Sequence, residues 1–165
     1  PCIFGRVGEE AEVLVKAGIP FEIVPGVTSG IAVPAYAGIP VTHRDYAASV
    51  AMVSGHRSER IDWEALTRGC DTIIVYMGAA NLSDICGRLM AAGKPSDTPA
   101  AIIEWGTTER QRTVAATLST LSDEAEQAGI SHPAIIIIGD VVRLRETLQW
   151  FPERQGGVVD ADASS

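Results

Sequence analysis

The chain is short of cysteine, of basic charge and of long apolar runs, and each shortage removes a class of function. Its three cysteines, Cys2, Cys70 and Cys86, are an odd number with no C-x-x-C pair. Neither a disulfide framework nor a zinc site follows, and the expectation is idle thiols in a reducing cytoplasm. Basic residues number 13 against 21 acidic ones, a formal net charge of −8 over 165 residues. Nucleic acid and acidic membrane surfaces select for basic patches, so neither is an expected partner. The longest strongly apolar run, Ala134 to Ile138, is far below the ~20 residues that cross a bilayer.

The catalytic and phosphate-binding signatures are missing too. There is no G-x-x-x-x-G-K-[ST], no strand-led G-x-G-x-x-G and no G-x-S-x-G elbow. His43, His56 and His132 lack metal-ligand spacing, so no metal is expected. The chain also opens without methionine, at Pro1 inside a Gly-rich stretch, which reads as the truncated start of a longer protein.

What is present is a 46% hydrophobic composition, enough for a packed core and incompatible with disorder or a coiled coil. Periodicity predicts a helix over Glu9 to Ala17 and a short strand over Phe21 to Val24. A second helix begins at Thr28 or Ser29, either hydroxyl serving as cap, with Pro34 kinking it or cutting it short. Strands follow at Ser49 to Val53, Thr72 to Tyr76, Pro99 to Glu104, Arg112 to Ala116 and Ala134 to Ile138. Between them, Leu82, Ile85, Cys86, Leu89 and Met90 form one apolar stripe on a helix over Asn81 to Ala92, with Asn81 as cap and Gly93 beyond its end. Leu118, Leu121, Ala125 and Ala128 mark another, closed by Gly129, and Arg143 to Trp150 reads as a short last helix. Alternation of this kind indicates a layered α/β fold. The expected division is residues 1–45, residues 46–152 and a disordered tail over 153–165.

Ligands in open α/β sheets bind beyond the carboxyl ends of strands. Four such loops carry glycine: Pro25 to Ser29, Gly55 to Arg57, Met77 to Asn81, and Trp105 to Thr108. Arg6, Arg44, Arg57, Arg60, Arg110 and Arg112 lie in or beside loops. Guanidinium groups pair with carboxylates, so these suit either a carboxylate-rich ligand or a solvated surface of ion pairs, and the residues alone leave both open.

Several stretches together resemble the uroporphyrinogen-III C-methyltransferases. They are Ile3-Phe4-Gly5-Arg6-Val7-Gly8-Glu9-Glu10, Val24-Pro25-Gly26-Val27-Thr28-Ser29, and the run from Pro34 through Pro40-Val41-Thr42-His43-Arg44. Ser49 through Gly55-His56, Tyr76-Met77-Gly78, and Glu104-Trp105-Gly106-Thr107-Thr108 through Arg112 continue the series in the family's order. The resemblance implies a tetrapyrrole-methylase-like fold: a complete C-terminal α/β domain preceded by the last part of an N-terminal α/β domain. It implies S-adenosylmethionine in the cleft between the two, a homodimer, and methylation of uroporphyrinogen III to precorrin-2 on the way to sirohaem or cobalamin. Ile3, Thr28, Ser29, Met77 and Gly106 would contact the cofactor. Arg6, Arg44, Arg57 and Arg110 are candidates for the substrate's carboxylates.

Pro1 would be the proline of the family's Gly-Gly-Asp-Pro loop. No catalytic residue is assigned within the chain, because the acidic residue given that role in the family belongs to about 100 residues of an upstream half-domain. Alternatives are a folded, dimerising fragment without catalysis and a sibling methyltransferase acting on a later corrinoid. Val7 stands where the family usually has glycine, in a turn that would need positive φ, and Gly30 stands where it usually has alanine.

Overall fold

The computed structural model describes residues 1–153. At its centre is a five-stranded mixed sheet: β1 (Val50–Ser54), β2 (Thr72–Tyr76), β3 (Pro99–Glu104), β4 (Arg112–Thr117) and β5 (Ala134–Ile138), in the spatial order β1-β2-β5-β3-β4. β1 and β2 run parallel, and β5 inserts antiparallel between β2 and β3, setting Ile74 opposite Ile137 and Ile102 opposite Ile136. β4 returns antiparallel along β3. The carboxyl ends of β1, β2 and β3 therefore share one end of the sheet with the start of β5.

The period-2 geometry of the strands sorts their continuous apolar runs onto two faces. On one, Ile73, Val75, Ala100, Ile102, Ile136 and Ile138 pack against three helices, α3 (Trp63–Gly69), α4 (Leu82–Ala91) and α5 (Leu121–Gln127). On the other, Ile74, Tyr76, Ala101, Ile103, Ile135 and Ile137 meet α2 (Ser29–Tyr36) through Val33 and Ala37, together with Ile39, Val141 and Val142. The α4 stripe is buried as its spacing predicts, through Leu82, Ile85, Cys86 and Leu89. Gly93 and Gly129 take positive φ just past α4 and α5.

Several expectations are corrected. Phe21 to Val24 forms no strand; Phe21, Ile23 and Val24 are exposed, and among the described residues no neighbouring backbone pairs with them. A β-rich run without a partner has nowhere to place its backbone hydrogen bonds except water. The first helix, α1 (Val7–Lys16), starts at Val7 in helical geometry, and positive φ falls instead on Phe4 (54°) and Arg6 (60°). Pro34 is the exception: it lies inside α2, which ends two residues later at Tyr36, cut short as expected. Asn81 occupies the N-cap position of α4 as expected, but its side chain makes no capping bond, and its amide donates instead to the Gly55 carbonyl at 3.2 Å. Over the last predicted helix the chain makes a 3₁₀ turn, Asp140–Leu144, and then α6 (Arg145–Leu148). Glu153 is fixed rather than disordered: its carboxylate accepts from Gln111, Thr113 and Arg145 at 2.7 to 2.8 Å. The rest of the expected tail, 154–165, lies outside the described residues.

Candidate functional site

At the shared strand end the chain forms a half-open cavity of about 530 Å³. Its walls come from four separate segments. Tyr76 and Met77 close β2, Trp105 and Gly106 follow β3, His132 and Pro133 precede β5, and Ser29 and Val33 belong to α2. Apolar side chains dominate, the hydroxyl-bearing Ser29 and Thr108 provide polar rim groups, and no lysine or arginine lines it.

Backbone geometry explains how these segments approach so closely. Met77, Trp105 and Thr107 all take positive φ, at 52°, 49° and 68°, so the chain turns sharply as it leaves β2 and β3. Gly106 sits hard against α2: a Cβ there would lie 2.4 Å from Val33 Cγ1. Only the glycine backbone fits between the β3 loop and the helix.

The loops are fixed from behind by a buried ion pair. Glu104, the last residue of β3, is 3% exposed. Its Oε2 accepts from Arg112 Nε at 2.8 Å, and its Oε1 accepts from the Ser131 backbone N–H at 2.7 Å and hydroxyl at 2.9 Å. Burial alone would raise this carboxyl, but the hydrogen bonds from Arg112 and Ser131 outweigh it and hold the group below the usual carboxylate range. Arg112 also donates to the carbonyls of Ala128 and Gly129 at the end of α5. Trp105 N–H donates to the Pro133 carbonyl at 3.0 Å, joining the two loops directly.

Of the residues expected at a cofactor, Ser29, Met77 and Gly106 come together on the cavity. Thr28 is adjacent, its hydroxyl 2.7 Å from the Tyr76 phenol. Ile3 is not among the lining residues, but the next residue, Phe4, packs edge-on against the Tyr76 ring at 5.0 Å and brings that loop to the cavity's margin. The arginines separate. Arg110 lies over the Trp105 ring, 3.5 Å from its centroid, at the lip. Arg57 is exposed in the turn after β1, and Arg6 makes an exposed 3.8 Å pair with Glu9. Arg44 is exposed beside Tyr46, which lines a different cavity under the start of β2 and β3. Arg112 is structural. Trp105 falls in one of the four strand-end loops expected to meet a ligand, whereas the sequence reading missed Val33, His132 and Pro133 as walls, and missed Tyr76 and Glu104 as organisers. The burial of Glu104 at the end of an apolar strand is the signal that could have found it.

A family model for tetrapyrrole (corrin/porphyrin) methylases matches residues 1–122. The chain belongs to the tetrapyrrole methylases. It is 56% identical over 146 residues to a uroporphyrinogen-III C-methyltransferase of Priestia megaterium, a match spanning 86% of this chain and 61% of that protein. A siroheme synthase of Methylobacillus flagellatus is 51% identical, with 92% of this chain covering 33% of it. Among solved structures, the uroporphyrin-III C-methyltransferase of Thermus thermophilus complexed with S-adenosylhomocysteine superimposes with a TM-score of 0.75 at 34% identity, covering 87% of this chain and 64% of that one. The chain thus spans about three fifths of the Priestia relative and a third of the Methylobacillus one. Among the described residues no helix is long and apolar enough to cross a membrane, and no cluster of three or more His, Cys, Asp or Glu side chains could hold a metal ion.

Proposed function

We propose that this chain holds S-adenosylmethionine in the cavity at the ends of β2 and β3 and serves the C-methylation of uroporphyrinogen III to precorrin-2. The observation that carries the reading is the convergence of Ser29, Met77 and Gly106, from three distant segments, on one apolar cavity. The residues present fit the cofactor. Apolar side chains such as Val33, Ile103 and Pro133 suit a flat adenine, hydroxyls at the rim suit ribose, and a lining without lysine or arginine suits a cationic sulfonium.

The cofactor, when bound, supplies the methyl group, leaving the protein to align donor with acceptor and exclude water. This agrees with the absence of a nucleophilic triad from the sequence, since a pyrrole carbon of the substrate is itself the nucleophile. Uroporphyrinogen III carries eight carboxylates. Arg110 is the best-placed cation for them, at the cavity lip, with Arg57 after β1 and Arg6 on the first loop flanking the same end. Arg44 belongs to this set only if the substrate extends well away from the cavity.

Residues 1–45 are proposed to belong to an N-terminal domain and 46–152 to the C-terminal one. The exposure of Val13, Val15, Ile19, Phe21, Ile23, Val24 and Val27 supports this, since an apolar face of that extent is ordinarily covered by further structure. A cytoplasmic homodimer is the proposed assembly, and sirohaem or cobalamin synthesis the proposed setting. The test is turnover of uroporphyrinogen III with S-adenosylmethionine followed by mass spectrometry. A product heavier by two methyl groups supports the reading. No turnover of that substrate alongside turnover of a later corrinoid assigns the protein to a sibling activity.

A further inference from the structure

Tyr76 ends β2 on the wall of the cavity, and its ring is 7% exposed. Its phenolic oxygen accepts a hydrogen bond from the Gly30 backbone N–H at 2.8 Å and lies 2.7 Å from Thr28 Oγ1. These two contacts replace an ordinary helix cap. Thr28 occupies the N-cap position of α2 with extended backbone geometry, yet its side chain makes no capping bond. The N–H of Gly30 is one of the first-turn donors that have no intrahelical acceptor and that a capping hydroxyl normally satisfies. Here a phenol from the sheet satisfies it instead.

We propose that Tyr76 is a positioning residue for the cofactor: by taking over the Gly30 N–H it releases the Thr28 hydroxyl from the helix end and holds it beside the cavity. This rests on the cofactor reading given above. Proton counting shows what the arrangement does. Either hydroxyl could donate across the 2.7 Å contact, and the arrangement we propose has the phenol donating, since its single proton finds a far better acceptor in Thr28 Oγ1 than in Met52 Sδ at 3.8 Å. Thr28 Oγ1 then accepts from Tyr76 and keeps its own proton to donate to a ligand oxygen or nitrogen. Gly30 is a condition of the device, because a Cβ there would lie 2.3 Å from the phenolic oxygen and 2.7 Å from the ring carbon bearing it.

The experiment is calorimetric titration of the protein with S-adenosylhomocysteine, alongside thermal unfolding, for the wild type, Tyr76→Phe, Thr28→Val and the double variant. Tyr76→Phe should weaken binding about tenfold, the scale of one lost directional hydrogen bond. Its melting temperature should stay within about 3 °C of wild type, because the freed Thr28 hydroxyl can swing onto Gly30 N–H as a conventional cap. Thr28→Val should weaken binding similarly, and the double variant no more than Thr28→Val alone. Gly30→Ala, which displaces the phenol sterically, should reproduce the loss of affinity. Wild-type affinity in Tyr76→Phe, or losses that multiply in the double variant, would overturn the inference while leaving the cofactor reading standing. A wild-type protein that does not bind S-adenosylhomocysteine would overturn both.

Discussion

Arg112 donates two hydrogen bonds to a single oxygen of the Glu104 carboxylate, from Nε at 2.8 Å and from Nη2 at 2.5 Å. The pair is unequal in exposure: the Glu104 side chain is 4% accessible and that of Arg112 34%. Glu104→Gln keeps the shape but leaves the guanidinium without its counter-charge. Breaking a fully buried pair costs about 3–5 kcal/mol, and hydration of the partly exposed Arg112 reduces that here to about 2 kcal/mol. Denaturant unfolding should show the loss as a lowered midpoint with an unchanged slope.

The same carboxylate gives a pH dependence of known sign. Its pKa is lowered in the fold, so its contribution is present in full above the unfolded value and is lost as pH falls through the folded one. Melting temperature should drop as pH is taken below the usual carboxylate range, and the drop should be shallower in Glu104→Gln. Asp71, hydrogen-bonded by Ser49 Oγ and by the backbone of Ala48 and Ser49, and Asp84, hydrogen-bonded by Arg88, are lowered too. The difference between variant and wild type is therefore the quantity that reports Glu104.

Gly106 and Val33 should behave as one unit. In Gly106→Ala the new Cβ meets Val33 at 2.4 Å and pushes α2 from the cavity, an overpacking cost of about 1–3 kcal/mol. Val33→Ala opens the space the methyl group needs. A double-mutant cycle on unfolding free energy should return a favourable coupling of about 1 kcal/mol or more. Additive effects would separate the β3 loop from the helix.

How far the sequence could be read follows the physics of each element. The buried strands were legible because continuous β-branched runs such as Thr72 to Tyr76 have one stable destination, and the α4 stripe because its spacing leaves one apolar face. The strand over Phe21 to Val24 was misread because local pattern does not record whether a partner strand exists. At the site, the motif loops located Ser29, Met77 and Gly106. Their organisers were hidden: the Tyr76 phenol acts on residues 46 and 48 positions away, and Glu104 acts through Ser131, 27 positions on. Arginines in loops were likewise undifferentiated in sequence, and only packing separates Arg110 at the lip from Arg112 in a structural pair.

The three thiols should differ in reactivity. Burial pushes the Cys86 thiol up to about 11, whereas Cys2 is exposed. Alkylation at neutral pH should modify Cys2 within the native protein and spare Cys86 until denaturant is added, as peptide mass mapping would show. Rapid native labelling of Cys86 would mean that α4 opens readily.

The central claim is that the cavity holds the methyl donor, and Met77 tests it most directly. Its side chain lines the cavity and is 54% exposed, and its positive φ is one that aspartate tolerates, so Met77→Asp should leave the fold intact. The decisive measurement is equilibrium dialysis with labelled S-adenosylmethionine, comparing wild type with Met77→Asp. The account predicts saturable binding at one site per chain, displaced by S-adenosylhomocysteine, with the affinity for S-adenosylhomocysteine, which has no sulfonium charge to attract the new carboxylate, weakened at least about tenfold in Met77→Asp because that carboxylate must be desolvated at the cavity wall. An affinity for S-adenosylhomocysteine that Met77→Asp leaves unchanged, or no saturable binding at all, would contradict it.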